Sequence, residues 1–172
     1  KQSIDLPAPG GDRIGLRPVN THILALEKLG TSISQKQNGL YKMQTSGLVG
    51  NTIYLDEASV MATENTIMAA VTAKGKTTIY NAACEPHVQG LCNFLVMLGA
   101  SIKGIGSNLL VIEGVDGLSG GNYTIQPDHT EVGSFIGLAA VTKSEIQIEN
   151  AGVKYLRMTC LMFEKLGVEI II

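Results

Sequence analysis

An α/β fold of tandem βαβαββ repeats, helices buried and sheets outside, is what this sequence predicts, on three observations. One helix ending returns at a near-constant interval, the helical segments are apolar on almost every side, and the strand segments alternate apolar with polar residues. The recurring endings read Leu-Glu-Lys-Leu-Gly-Thr-Ser-Ile (26–33), Leu-Val-Met-Leu-Gly-Ala-Ser-Ile (95–102) and Met-Phe-Glu-Lys-Leu-Gly-Val-Glu-Ile (162–170). Leu29-Gly30, Leu98-Gly99 and Leu166-Gly167 fall 69 and 68 residues apart. Glycine there predicts a left-handed helix cap, because a residue without Cβ takes positive φ at little steric cost.

Further landmarks recur 69 to 71 residues apart. Ser46-Gly47-Leu48 before Asn51-Thr52-Ile53-Tyr54 matches Asp116-Gly117-Leu118 before Asn122-Tyr123-Thr124-Ile125, each a turn opening a strand. Ala69-Ala70-Val71-Thr72 leading to Asn81-Ala82 matches Ala139-Ala140-Val141-Thr142 leading to Asn150-Ala151.

The complete unit is expected as a strand (52–55), a helix (60–73), a strand (77–81), a helix (86–98) and two strands (100–104 and 109–113). The next copy repeats strand 123–126, helix 130–141, strand 145–149 and helix 154–166, followed by one more strand. Val88, Leu91, Cys92, Phe94, Leu95, Val96, Met97 and Leu98 put apolar groups nearly all round one helix, the mark of an interior helix. Thr77-Thr78-Ile79-Tyr80 and Glu145-Ile146-Gln147-Ile148-Glu149 are polar on one face, which is expected to meet water. About two and a half units are expected, all in one partial domain over 1–172: a partial unit at 1–50, a complete one at 51–119 and a partial one at 120–172. A terminus inside a repeat is read as excision from a longer protein.

Apolar residues make up 45% of the 172 and charged residues 16%, the composition of a globular protein. A net charge of -2 and the absence of basic runs exclude a phosphate-backbone footprint, so no nucleic-acid partner is expected. Apolar stretches such as Leu109-Leu110-Val111-Ile112 are far shorter than the roughly 20 residues that span a bilayer, and no membrane partner is expected. The amino end has no signal core, and Cys84, Cys92 and Cys160 are odd in number with no ligand spacing, which points to a cytoplasmic protein with no metal.

The densest polar cluster runs from Pro9 to His22. Gly10, Gly11 and Gly15 free the backbone there, and Arg13 and Arg17 beside Asp12 offer an anion site next to an acid. Composition alone leaves a ligand loop and a solvated connector equally open. Asp56-Glu57-Ala58-Ser59-Val60 precedes a helix whose amino end either binds phosphate or is capped by Ser59. Equivalent loops follow at Cys84-Glu85-Pro86-His87 and at Pro127-Asp128-His129-Thr130-Glu131. Gly104-Ile105-Gly106 lacks the third glycine and following helix of a dinucleotide site and reads as a turn. His22, His87 and His129 are each isolated in sequence.

Five segments together resemble one family, the enolpyruvyl (1-carboxyvinyl) transferases of UDP-N-acetylglucosamine. They are Gly10-Gly11-Asp12-Arg13-Ile14-Gly15-Leu16-Arg17-Pro18-Val19, Ser59-Val60-Met61-Ala62-Thr63-Glu64-Asn65, Asn81-Ala82-Ala83-Cys84-Glu85-Pro86, Val111-Ile112-Glu113-Gly114-Val115 and Pro127-Asp128-His129-Thr130-Glu131-Val132-Gly133. The resemblance implies two domains, each of three βαβαββ units around a pseudo-threefold axis. It also implies transfer of enolpyruvate from phosphoenolpyruvate to the 3-hydroxyl of UDP-N-acetylglucosamine with release of phosphate, with no metal or organic cofactor. That reaction is the first committed step of peptidoglycan precursor synthesis, and so serves cell-wall growth, cell shape and division.

Residue by residue, the resemblance implies that Asp12 stands where the family usually carries the Cys that protonates the methylene carbon and is alkylated by fosfomycin. Asp12 is then the general acid, and fosfomycin resistance follows. Arg17 meets developing negative charge, and Arg17, Pro18, Val19, Asn20 and Thr21 with Glu57, Ala58, Ser59 and Val60 bind the nucleotide sugar. His22, Glu85, Asp128, His129 and Glu131 are second-rank candidates. Asn20 departs from a common Asp, Met61 from a frequent Gly and His129 from a frequent Arg. The remaining catalytic groups belong to a second domain outside this chain, so the chain alone is expected to be inactive. The alternatives are a shikimate-pathway enolpyruvyl transferase and a non-catalytic repeat domain that binds a partner.

Overall fold

The structure, a computed structural model, describes residues 3–8, 10, 15, 18–36 and 39–172, and divides into two compact units, Lys1–Tyr123 and Thr124–Ile172. In the first, β1 (Ser3–Leu6), α1 (Asn20–Lys28), β2 (Ser32–Gln35) and β3 (Tyr41–Gln44) are followed by β4 (Thr52–Tyr54), α2 (Val60–Ala70), β5 (Lys76–Tyr80), α3 (Pro86–Met97), β6 (Ser101–Lys103) and β7 (Leu109–Glu113). From β4 to β7 the order is βαβαββ, as the repeat predicts.

Two sheets form, β1-β3-β2 and β4-β5-β7-β6. In the second, β4 pairs parallel with β5, while β7 pairs antiparallel with both β5 and β6. The first sheet repeats the β5-β7-β6 half, and its register returns at the sequence interval. Ile33 faces Met43 as Ile102 faces Ile112, and Ser34 faces Lys42 as Lys103 faces Val111.

The helix endings explain how so regular a repeat is built. Gly30, Gly99 and Gly167 all take positive φ, at 97°, 106° and 82°. In each copy the glycine N–H reaches the carbonyl three residues back, and the next N–H reaches the carbonyl five back, from Thr31 to Leu26, Ala100 to Leu95 and Val168 to Phe163. This is the Schellman closure, which satisfies carbonyls that a helix end otherwise leaves unpaired.

Alternation along the strands sets the layers. Thr77 and Ile79 of β5 and Leu110 and Ile112 of β7 turn inward and are buried, while Lys76, Tyr80, Leu109 and Glu113 face water. The inward row packs with Leu29, Ile53, Ile67, Val71, Val88 and Cys92 into one core. Burial of Cys92 pushes its thiol up to about 11, so it is an inert core residue. On the far side of the sheet Tyr54 stacks on Tyr80 with ring centroids 4.7 Å apart. At the end of this unit the Tyr123 hydroxyl donates to the Gly90 carbonyl and its ring meets Phe94.

The second unit holds α4 (His129–Thr142), a 3-10 turn (Val153–Tyr155) and α5 (Arg157–Lys165) around a small core of Val132, Leu156 and Cys160. Here three sequence expectations are corrected. No strand forms at 123–126, at 145–149 or after Gly167. In the complete repeat β5 lies between β4 and β7, whereas no described residue beyond α5 supplies the counterpart of β7, and an isolated pair of short strands is marginal in water. The helix expected at 154–166 is likewise broken at its start into the 3-10 turn, and the one expected at 60–73 stops at Ala70.

Candidate functional site

Three helix starts meet at one end of the first unit. Because β4 and β5 run parallel, α2 and α3 both begin at the carboxy-terminal ends of their strands, where open α/β units hold ligands. The Asn81 side chain donates to the Leu55 carbonyl at 3.0 Å, tying the segment after β5 to that after β4. Asn81 itself takes positive φ, at 58°, a conformation asparagine tolerates better than most residues.

Ser59 caps α2, its hydroxyl accepting from the Ala62 N–H at 3.3 Å. The capping reading of Ser59 is therefore realised; it occupies one of the orphan N–H groups of that helix start. Below it the fully buried Thr63 hydroxyl donates to the Ser59 carbonyl at 2.8 Å and accepts from the Ala83 N–H at 2.9 Å. One hydroxyl thus braces the 56–60 segment against the 81–85 segment. Glu85 is the residue before α3 and makes no side-chain cap; Pro86 opens that helix, where a missing N–H costs nothing.

The start of α1 joins the same end. The nearly buried Thr21 hydroxyl donates to Asp56 Oδ1 at 2.7 Å, and the Asn65 amide nitrogen lies 2.7 Å from His22 Nδ1. The structure therefore brings together Pro18, Val19, Asn20, Thr21 and His22 with Glu57, Ala58, Ser59 and Val60, segments far apart in sequence. Asp56 falls in the candidate loop 56–60 and Asn65 in the segment 59–65, but neither was assigned a role of its own. Each is recognisable only through a partner 35 or 43 positions away.

Asp12 and Arg17, with Gly11, Arg13, Ile14 and Leu16, lie outside the described residues. Strand pairing nonetheless locates extra length in their segment. Ser3 pairs with Gln44 as Lys76 pairs with Glu113; these matched positions are 73 apart at the first strand and 69 at the second, so the first copy is four residues longer. Since the glycine caps keep the shorter interval, the extra residues fall before Gly30, in the stretch that carries the Gly-Gly-Asp-Arg cluster.

Residues 18–22, 55–60 and 81–85 contain no lysine or arginine and carry Asp56, Glu57 and Glu85. Among the described residues, attraction for an anionic ligand here would come from the helix amino ends. An open hollow of about 470 Å³ along α1, lined by Asn20, Ile23, Leu24, Glu27 and Lys28, touches this end only at Asn20.

Asp128, His129 and Glu131 belong to the second unit. The Asp128 carboxylate caps α4, accepting from the N–H groups of Thr130 at 2.8 Å and Glu131 at 3.4 Å. Those backbone donors hold its pKa below the ordinary aspartate value. His129 is the first residue of α4 and Glu131 sits in its first turn, so capping accounts for this cluster locally. Among the described residues no group of three His, Cys, Asp or Glu side chains is arranged to hold a metal, and no helix is long and apolar enough to cross a membrane.

Comparison with known proteins gives a consistent picture. The sequence profile of EPSP synthase (3-phosphoshikimate 1-carboxyvinyltransferase) matches residues 2–171. A UDP-N-acetylglucosamine 1-carboxyvinyltransferase from Bradyrhizobium diazoefficiens is 53% identical over 163 residues, which cover 95% of this chain and 37% of that protein. One from Treponema pallidum is 52% identical, covering 95% of this chain and 38% of that protein. The chain thus spans under two fifths of the length of these relatives. Among solved structures, the enolpyruvyl transferase NikO from Streptomyces tendae superposes with a TM-score of 0.66 at 21% identity, a match that covers 78% of this chain and 32% of that protein. That likeness shows a common fold.

Proposed function

Because this chain belongs to the EPSP synthase (3-phosphoshikimate 1-carboxyvinyltransferase) family, we propose that the whole protein transfers enolpyruvate from phosphoenolpyruvate to the 3-hydroxyl of UDP-N-acetylglucosamine. The sugar oxygen adds to C2 of phosphoenolpyruvate, its proton leaving to a base, while the methylene C3 takes a proton. Loss of phosphate from C2 and of a proton from C3 then yields the enol ether. The product opens peptidoglycan precursor synthesis in the cytoplasm.

The observation that carries this reading is the meeting of residues 18–22 with 56–60 through the Thr21–Asp56 hydrogen bond. It joins the two segments that resemble the family's nucleotide-binding runs, beside helix amino ends suited to a diphosphate. The nucleotide sugar is preferred to a phosphorylated shikimate because the relatives at about half identity are named for it.

Asp12 is the proposed proton donor to C3. An ordinary aspartate titrates near ~3.9, so half-protonation at neutral pH needs a rise of about 3 units, or roughly 4 kcal/mol, which a closed, dry site could supply. Arg17 would balance charge on phosphoenolpyruvate and the addition intermediate. Read as one partial domain of about two and a half repeats, the chain supplies one wall of the site; alone it is expected to bind UDP-sugar weakly and turn over nothing.

The test is phosphate release by the full-length protein. With phosphoenolpyruvate and UDP-N-acetylglucosamine, Asp12→Asn should lose about 100-fold or more in rate, as for loss of a general acid, and fosfomycin should leave the wild type uninhibited. Full activity in Asp12→Asn would remove Asp12 from the mechanism. Turnover with 3-phosphoshikimate alone would overturn the choice of acceptor.

A further inference from the structure

Two hydrogen bonds cross from α1 to α2 beside the segments just discussed, and on the α2 side they use residues that nothing above assigns to ligand. The Thr21 hydroxyl donates to Asp56 Oδ1 at 2.7 Å, and the Asn65 amide nitrogen stands 2.7 Å from His22 Nδ1. An amide nitrogen only donates, so Nδ1 is the acceptor in this pair.

The surrounding contacts show why such a pair matters. Apolar packing resists separation of two helices but is non-directional, so it leaves their sliding and rotation weakly determined. Hydrogen bonds require both distance and angle, and two of them between the same two elements remove that freedom. Each ligand segment is continuous with one of these elements: Pro18 to Thr21 opens α1, and Glu57 to Val60 opens α2. The first bond lies beside the ligand segments, and the second, at Asn65, lies five residues into α2 beyond Val60.

Resting on the proposed binding of a nucleotide sugar, we propose that Asp56 and Asn65 are positioning residues whose clasp on Thr21 and His22 sets the register of the two nucleotide-binding segments. Neither needs to touch the ligand. The expected signature is selective: recognition of the nucleotide sugar weakens when the clasp is cut, while handling of phosphoenolpyruvate does not.

The experiment uses the full-length protein and compares Asp56→Leu, which removes the acceptor, with Asp56→Asn, which keeps an amide oxygen at the same reach. Asp56→Leu should raise KM for UDP-N-acetylglucosamine and the Kd for UDP, measured calorimetrically, by about fivefold, the worth of one net hydrogen bond. KM for phosphoenolpyruvate and kcat should stay within about twofold, and Asp56→Asn should restore both nucleotide constants. Equal rises in both KM values, or an Asp56→Asn as defective as Asp56→Leu, would overturn the clasp.

The UDP titration separates this inference from the reaction it rests on. If the wild type binds UDP but forms no product, and Asp56→Leu weakens that binding as expected, the clasp stands and the assigned reaction falls. Unchanged UDP binding in Asp56→Leu overturns the clasp whatever the reaction, and no UDP binding by the wild type overturns both.

Discussion

The complete repeat from β4 to β7 and the unit Thr124–Ile172 descend from one pattern and end in different structures. Their local devices agree. Ser59 caps α2 and Asp128 caps α4; Asn81 and Asn150 both take positive φ, at 58° and 53°; Gly99 and Gly167 close their helices with the same pair of hydrogen bonds. Their strands do not agree. The first unit buries Ile53 and Ile79 completely in a four-stranded sheet, while in the second Ile125 is 84% exposed and Ile146 43%. Caps and turns are satisfied within a few residues, whereas a strand exists only when another strand lies beside it.

The comparison can be broken most severely at Gly114. Its N–H bonds to Gly75, and a Cβ there would run into the Ala73 carbonyl, so the β5–β7 edge closes only with glycine. Gly114→Ala should cost more than about 4 kcal/mol, visible in urea unfolding as loss of the cooperative transition. An unchanged midpoint would show that the close approach is not required.

A matched pair of truncations sharpens the contrast. Ile79 and Ile148 occupy equivalent repeat positions, the one fully buried in the main core and the other half-buried against the small one. Ile79→Ala should cost about 2–5 kcal/mol and Ile148→Ala about 1 kcal/mol or less, by the same unfolding measurement. Equal costs would mean that the second unit is packed as firmly as the first.

The smallest effect is one of pH. The carboxylate of Asp128 is held below its ordinary pKa by the Thr130 N–H, then the Glu131 N–H. A depressed folded value means that its contribution to α4 is complete above the unfolded pKa and is lost as pH falls through the folded one. Amide shifts of Thr130 and Glu131 should therefore move on acidification below the usual aspartate range, and stay still in Asp128→Asn, which caps without titrating. Identical profiles would assign the titration elsewhere.

Much of the candidate site was legible in the chain. Residues 17–21 and 57–60 stand out by their motifs, and the capping serine by its place before an apolar run. What sequence could not reveal was Asp56 and Asn65 as partners of Thr21 and His22, since no local pattern announces a hydrogen bond between residues 35 or 43 apart. The four extra residues before Gly30 also emerged only once strand register aligned the two copies.

By itself the sequence determined the repeat interval, the helix caps at Gly30, Gly99 and Gly167, the capping position of Ser59, and the apolar rows that became the core. All of these depend on φ preference, side-chain reach or alternation within one element. Tertiary structure alone decided which strand patterns became strands, how β7 came to lie between β5 and β6, and which residues of α1 and α2 face each other. Those outcomes require groups distant in the chain to meet, and the free energy that rewards them appears only once the partner is in place.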